Sequence, residues 1–264
     1  MTWSGGEPRL GQLFSNKFIS EFGQPRAQGA EITRYHQDVA ASLQEVIEEV
    51  EFALVRRLQQ ETGCKTLCMA GGVALNSVFN GKVLPETEFN DIYIQPAASD
   101  AGTALGVCYY IYHQLLGQQR SYEMRDAYTG PGFANGPVQA SLEKENLHYE
   151  TFDLSEIVRK VAEMVAEGKV VGWFQGRMEW GPRALGHRSI VADPRRADMQ
   201  DTLNARIKHR ESFRPFAPSV LAEATGQYFD QSYPDPFMLK VYNVLSEKRG
   251  EIPAVTHVDG SGRL

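Results

Sequence analysis

The sequence predicts an α/β protein of two domains. Three observations carry this: short apolar runs alternate with amphipathic helical segments, glycines stand at the joins, and one glycine- and proline-rich stretch interrupts the alternation. From His36 to about Thr62, Val39, Leu43, Val46, Ile47, Val50, Leu54 and Leu58 recur at spacings of three and four, which predicts a long amphipathic helix stopped by Gly63. KTLCMAGGVALNSVFNGKVL then predicts a buried strand over 66–70, a glycine turn and a helix from about Ala74. DIYIQP follows as a second strand, and AASDAGTALGVCYYIYHQLL as a third helix. The segment 120–136 loses the pattern and collects Gly130, Pro131, Gly132 and Gly136, so the domains are placed at 1–125 and 126–264. Beyond it, SEIVRKVAEMVAEGKVVGWFQG predicts a helix, a stop at Gly168 and a strand. DMQDTLNARIKHR predicts another helix, and short strands and turns follow Phe216.

With 264 residues and 42% hydrophobic composition, the chain can build real cores. Cys64, Cys68 and Cys108 form neither a C-x-x-C pair nor an even secreted framework, which fits a reducing cytoplasm. No apolar run reaches the ~18 residues of a membrane span, and MTWSGGEPRL carries no signal-peptide core, so no membrane partner is expected. The formal charge is -6, yet between Arg177 and Arg214 nine Lys/Arg stand against five Asp/Glu, a local balance of +4 that leaves -10 elsewhere. A basic focus on an acidic chain points to a small anionic ligand. It argues against a nucleic acid gripped along a surface.

That focus centres on GRMEWGPRALGHRSIVADPRR, residues 176–196, with five arginines and glycines at 176, 181 and 186. A solvated helix face would interleave opposite charges at i,i+4 and would not need these glycines. Continued by IKHRESFRPFAPS, it makes Arg183, Lys208 and Arg214 candidates for one anion pocket, because guanidinium forks bind phosphate or carboxylate in bidentate fashion. The plainer alternative pairs some of these arginines with Glu179, Asp193 and Glu211, and it is preferred for Arg195 and Arg196. His187 and His209 read as hydrogen-bonding walls, and Trp173, Phe174 and Trp180 as core. In AGGVALN, Gly71 and Gly72 join a strand to a helix, where a phosphate could approach the backbone or the turn could simply pack tightly. Asp100 in PAASDAGTALG is either a helix cap or a carboxylate metal ligand at a strand end.

Taken together, AGGVALN, QPAASDAGTALG, FQGRMEWGPRALGHRSIVADPR and IKHRESFRPFAPSV closely resemble the O-carbamoyltransferases of the nodulation-factor and antibiotic-tailoring type, over nearly the whole chain. The resemblance implies the C-terminal lobe of an actin/hsp70/sugar-kinase-like domain, akin to threonylcarbamoyl transferases, followed by an α+β YrdC-like domain. It implies that carbamoyl phosphate and ATP give carbamoyl-AMP and pyrophosphate in the second domain. The carbamoyl group then passes to a hydroxyl of a small-molecule or glycan acceptor near a divalent, iron-type metal, with Mg available to ATP. Carried over by motif, Arg183, Lys208, Arg214 and Arg263 resemble phosphate contacts, Gly71, Gly72 and Asn76 nucleotide contacts, and Asp100 the metal carboxylate.

One departure is plain. The family's H-x-x-x-H metal pair is absent, and the six histidines at 36, 113, 148, 187, 209 and 257 are scattered. The chain therefore resembles a central fragment of the family, expected not to carry out the full transfer alone and to expose an apolar face that favours association of copies. Two other classes compete: a sugar-kinase-like ATPase explains GGVALN but not the arginine block, and an RNA-associated threonylcarbamoyl-type module explains RIKHR but conflicts with the acidic remainder.

Overall fold

The computed structural model describes residues 2–9, 11, 14–27 and 29–264, and the chain divides into two compact units, Met1–Leu54 and Val55–Leu264. The predicted boundary at 125/126 falls inside the second unit. The architecture is mixed α/β. The described strands form four separate two-stranded sheets, and no described helix is long and apolar enough to cross a membrane.

In the first unit, β1 (Thr2–Ser4) and β2 (Glu7–Arg9) make an antiparallel hairpin. Gly5 and Gly6 both adopt positive φ between them, as a two-residue hairpin turn demands. The short helix α1 (Asn16–Phe22) starts where the Ser15 side chain accepts the Phe18 N–H. The long helix α2 (Arg34–Thr62), whose last turns from Val55 belong to the second unit, runs where the periodicity places it. Its apolar stripe, however, is open: Leu43, Val46, Val50 and Leu54 are exposed.

In the second unit, β3 (Thr66–Met69), α3 (Ser77–Glu86) and β4 (Asp91–Ile94) form a parallel β-α-β unit with Leu67, Phe79, Val83, Ile92 and Ile94 buried. A 3-10 turn over Gly72–Leu75 precedes α3, whose start is capped by the Asn76 side chain on the Phe79 N–H. A second 3-10 turn, Asp100–Gly102, leads into α4 (Thr103–Tyr109), which continues as a π-helical turn over Tyr110–Leu115. Two helices follow, α5 (Asn135–Lys144) and α6 (Leu154–Ala166), the latter capped by Asp153. Then β5 (Val171–Phe174) pairs with β6 (Arg188–Val191) in antiparallel register.

The predicted helix at DMQDTLNARIKHR is a single turn, α7 (Met199–Thr202), widened into a π-helical turn over Leu203–Lys208 and ended by His209 in the left-handed region. A last short helix, α8 (Thr225–Tyr228), precedes the antiparallel pair β7 (Val241–Asn243) and β8 (Ser261–Arg263). Phe229, Tyr242, Val244, Ile252, Val255 and Leu264 form the core around that pair; Met199, Leu203 and Ala254 form a second cluster, and Phe216 packs against both. The N- and C-terminal halves of this unit meet directly. Asn80, fully buried on α3, donates to the Leu239 carbonyl, and a Cβ at Gly81 would collide with the Val241 carbonyl.

Candidate anion-binding site

The arginine-rich stretch begins as the loop between β5 and β6 and runs through β6, and its three glycines, all in the loop, take positive φ. Gly181 shows why: an added Cβ would lie 2.7 Å from the Pro96 carbonyl oxygen, so only glycine lets the loop rest on the segment after β4. Close by in sequence, the Gly71 N–H donates to the Ala98 carbonyl at 2.7 Å, so the AGGVALN turn and the arginine loop both rest on residues 96–98.

Glu179 pins the loop from within. One of its oxygens accepts the N–H groups of Leu185, His187 and Arg188 at 2.8, 2.9 and 3.2 Å. Burial alone would raise this carboxyl, but the backbone donors outweigh it and hold the group below the ordinary value of 4.5. The expectation that Glu179 pairs with an arginine is thus corrected, because the turn's own amides take that oxygen. Asp193 and Glu211 do pair, with Arg195 and Arg214 at 2.8 Å each, and Arg196 meets Asp198 at 3.2 Å.

His187 stacks on Tyr128 with ring centroids 3.6 Å apart and makes a 2.6 Å hydrogen bond to the Arg177 carbonyl, which makes it a wall of the loop. Arg188 caps the carbonyls of Gln175, Gly176 and His187 and lies 3.5 Å over the Phe174 ring. Phe174 is therefore not core. Alternation along β5 puts its ring on the open face, where it is 56% exposed and serves as a platform for the guanidinium.

Three guanidinium groups converge where this loop, the turn after α7 and β8 meet. Burial, with the neighbouring charges of Arg183 and Arg210 adding to it and Asp235 opposing, lowers Arg263 to about 10. It stays charged at neutral pH. Arg210 is lowered by burial and then by Arg214; it donates to the Asn204 side chain at 2.7 Å and lies over the Phe216 ring, which anchors it to the core. The Nε atoms of Arg183 and Arg263 are buried without a hydrogen-bond partner among the described residues. Asp235 turns its oxygens to the N–H groups of Phe237, Leu239 and Lys240, and burial raises its carboxyl above the ordinary value.

Of the candidates named from sequence, Arg183 and Arg263 are brought together, with Arg214 linked through Arg210. Lys208 is exposed on the π-helical turn, and no described contact ties it to the group. Sequence reasoning missed Arg210 as a candidate, although it stands four residues before Arg214 in the FRPFAPS motif. A cavity of ≈ 600 Å³ lined by Ala162, Asp193, Tyr228 and Ile252 has none of the clustered arginines in its wall. Its one buried charge, Asp193, is already paired.

At the other candidates, the space beside Gly71 and Gly72 is open where a Cβ would stand, so a ligand could approach the backbone there, while the Asn76 side-chain oxygen is engaged in capping α3. Asp100 is the first residue of its 3-10 turn, Ser99 standing at the cap position, and its backbone carbonyl accepts the Thr103 hydroxyl at 2.6 Å. The described residues hold no group of three His, Cys, Asp or Glu side chains that could bind a metal, so Asp100 lacks partners for a complete site among them.

These features define an α/β protein with a partly buried guanidinium cluster. The carbamoyltransferase C-terminus family matches residues 162–264, which contain the whole cluster, and the carbamoyltransferase N-terminus family matches residues 12–109. The chain belongs to the carbamoyltransferase family. Among its relatives, protein sll1178 of Synechocystis sp. is 44% identical over 96% of this chain and 45% of its own length. Nodulation protein NolNO of Sinorhizobium fredii is 45% identical over 90% of this chain and 36% of its own length, and nodulation protein NolO of Bradyrhizobium diazoefficiens 43% over 91% and 45%. The chain thus spans less than half the length of these relatives.

Proposed function

We propose that this chain carries the carbamoyl phosphate and nucleotide site of an ATP-dependent O-carbamoyltransferase, with a YrdC-like second half and an actin-like first half. Carbamoyl phosphate, ATP and water would give carbamoyl-AMP, pyrophosphate and phosphate, and the carbamoyl group would pass to a hydroxyl of a small-molecule or glycan acceptor. The observation that carries the reading is the convergence of Arg183, Arg210 and Arg263 with two unpartnered buried Nε atoms. Like charges held together at a partly buried site, with no carboxylate paired to Arg183 or Arg263, favour a polyanion that replaces the lost hydration. Phosphate chemistry of this kind needs positioning and cancelled repulsion more than covalent help, and preorganised cations supply both. Arg214 and Lys208 would extend the contacts toward the second phosphate-bearing substrate, and Gly71 and Gly72 would admit a nucleotide. A metal would draw Asp100 as one ligand, its other ligands coming from outside the described residues.

The test is calorimetric titration of the chain with carbamoyl phosphate. Arg183→Ala and Arg263→Ala should each weaken binding by ~1.5 to 3 kcal/mol, the range for a hydrogen bond to a charged group. Unchanged affinity in both variants would overturn the assignment.

A further inference from the structure

Beside the arginines lies a short turn that the reading above does not use. The His257 N–H donates to the Ser261 carbonyl at 2.7 Å, the Gly260 N–H donates to the His257 carbonyl, and Ser261 begins β8. Ser261 and Arg263 are two residues apart on that strand, so their side chains share a face. His257 reaches the same face, its Nδ1 lying 3.0 Å from Ser261 Oγ, and the charge of Arg263 acts on its ring. The Nε2 is buried with no hydrogen-bond partner.

The hydrogen-bond network fixes which nitrogen carries the proton. Asp259 is a carboxylate whose oxygen accepts both the Ser261 N–H at 2.9 Å and the Ser261 hydroxyl at 2.7 Å. Its carboxyl is held below the ordinary range, because these bonds outweigh the effect of burial. The single hydroxyl hydrogen of Ser261 is therefore committed to Asp259, and Ser261 Oγ can only accept from the ring. Nδ1 must carry the hydrogen, and in the neutral ring Nε2 is then an acceptor. Burial, with Arg263 adding to it against Asp259, lowers the ring below its ordinary value, so it is neutral at neutral pH.

An acceptor among arginines has no use for a phosphate oxygen. Guanidinium and ammonium groups only donate, so the neutral His257 ring offers a ligand an acceptor that the arginines cannot. We propose that His257 determines specificity, its Nε2 accepting a hydrogen bond from the carbamoyl NH2 while the arginines hold the phosphate. The inference rests on the carbamoyl phosphate reading.

The experiment compares carbamoyl phosphate, acetyl phosphate and inorganic phosphate by calorimetry on the full chain. Acetyl phosphate keeps the anion and replaces the NH2 by a methyl group. Wild type should prefer carbamoyl over acetyl phosphate by about tenfold or more, since a buried acceptor left without its donor is strongly disfavoured. His257→Asn retains a donor near the Nδ1 position and has nothing at Nε2. It should bind the two acyl phosphates equally while its affinity for inorganic phosphate stays unchanged. A variant that keeps the preference, or loses all three ligands alike, overturns the proposal. Wild type that binds phosphate without preferring the carbamoyl group overturns it too and leaves the anion site standing, whereas wild type that binds none of the three overturns the site itself. Nitrogen-15 NMR of the wild-type imidazole needs no folded variant. It should find the hydrogen on Nδ1 and a shift of Nε2 with carbamoyl but not acetyl phosphate; a ring protonated at Nε2 would refute the inference.

Discussion

Glu179 directs one carboxylate oxygen at three backbone N–H groups, and for that reason it neutralises none of the surrounding arginines. The arginine loop is thus closed by an internal anion of its own, and none of its arginines is spent on Glu179. Because the folded carboxyl is held below its ordinary 4.5, its contribution is fully present above that value and is lost as pH falls through the lower, folded-state pKa. Glu179→Gln keeps the shape but offers the amides a weaker, neutral acceptor. At neutral pH the substitution should cost ~1 to 2 kcal/mol of stability. As pH drops below about 4.5 the wild-type and variant melting curves should converge; parallel curves down to pH 3 would mean the three bonds do not depend on charge.

At the scale of elements, the contact between α3 and β7 ties the two halves of the larger unit together, and Gly81 is its point of closest approach. Replacing a helical glycine by alanine normally stabilises by up to ~1 kcal/mol. Here the new methyl would strike the Val241 carbonyl, and overpacking of ~1 to 3 kcal/mol wins. Gly81→Ala should therefore lower the melting temperature, and a rise would show that β7 can yield. The sequence revealed the elements that periodicity governs, α2, β3, α3, β4, α6 and β5, to within a few residues. It did not reveal α5, because Asn135, Gly136 and Pro137 read as a loop although proline is tolerated in a first helical turn. Nor did it reveal the open side of α2: the stripe Leu43, Val46, Val50 and Leu54 has the pattern of a buried face, yet burial depends on what covers it, and no local pattern encodes that. The same limit applied at the site. Arg183 and Arg214 were legible as residues of a motif, whereas the grouping of Arg210 with Arg263 required β8 to fold back across more than fifty residues of chain.

Across the whole molecule, electrostatics separates a small-anion site from an RNA-binding surface. The chain carries -10 outside residues 177–214 and only +4 within them, so a long polyanion would gain little beyond the cluster, while a single phosphate needs nothing outside it. Much of the positive charge in that focus is also already committed: Arg195, Arg196 and Arg214 sit on carboxylates, and Arg177 and Arg188 cap backbone carbonyls. Of the remainder, Arg183 and Arg210 act on Arg263 of β8, a small group of cations that suits one or two phosphates. A protein gripping RNA through 6–10 phosphate contacts loses roughly 10³ to 10⁵ in affinity between 50 and 200 mM salt. The chain should instead bind carbamoyl phosphate with a shallow salt dependence and show no retention of single-stranded or transfer RNA by filter binding near 150 mM salt. RNA binding with a steep salt slope, displaced by carbamoyl phosphate, would place the arginine cluster on a nucleic-acid surface and favour the RNA-associated reading over the transferase site.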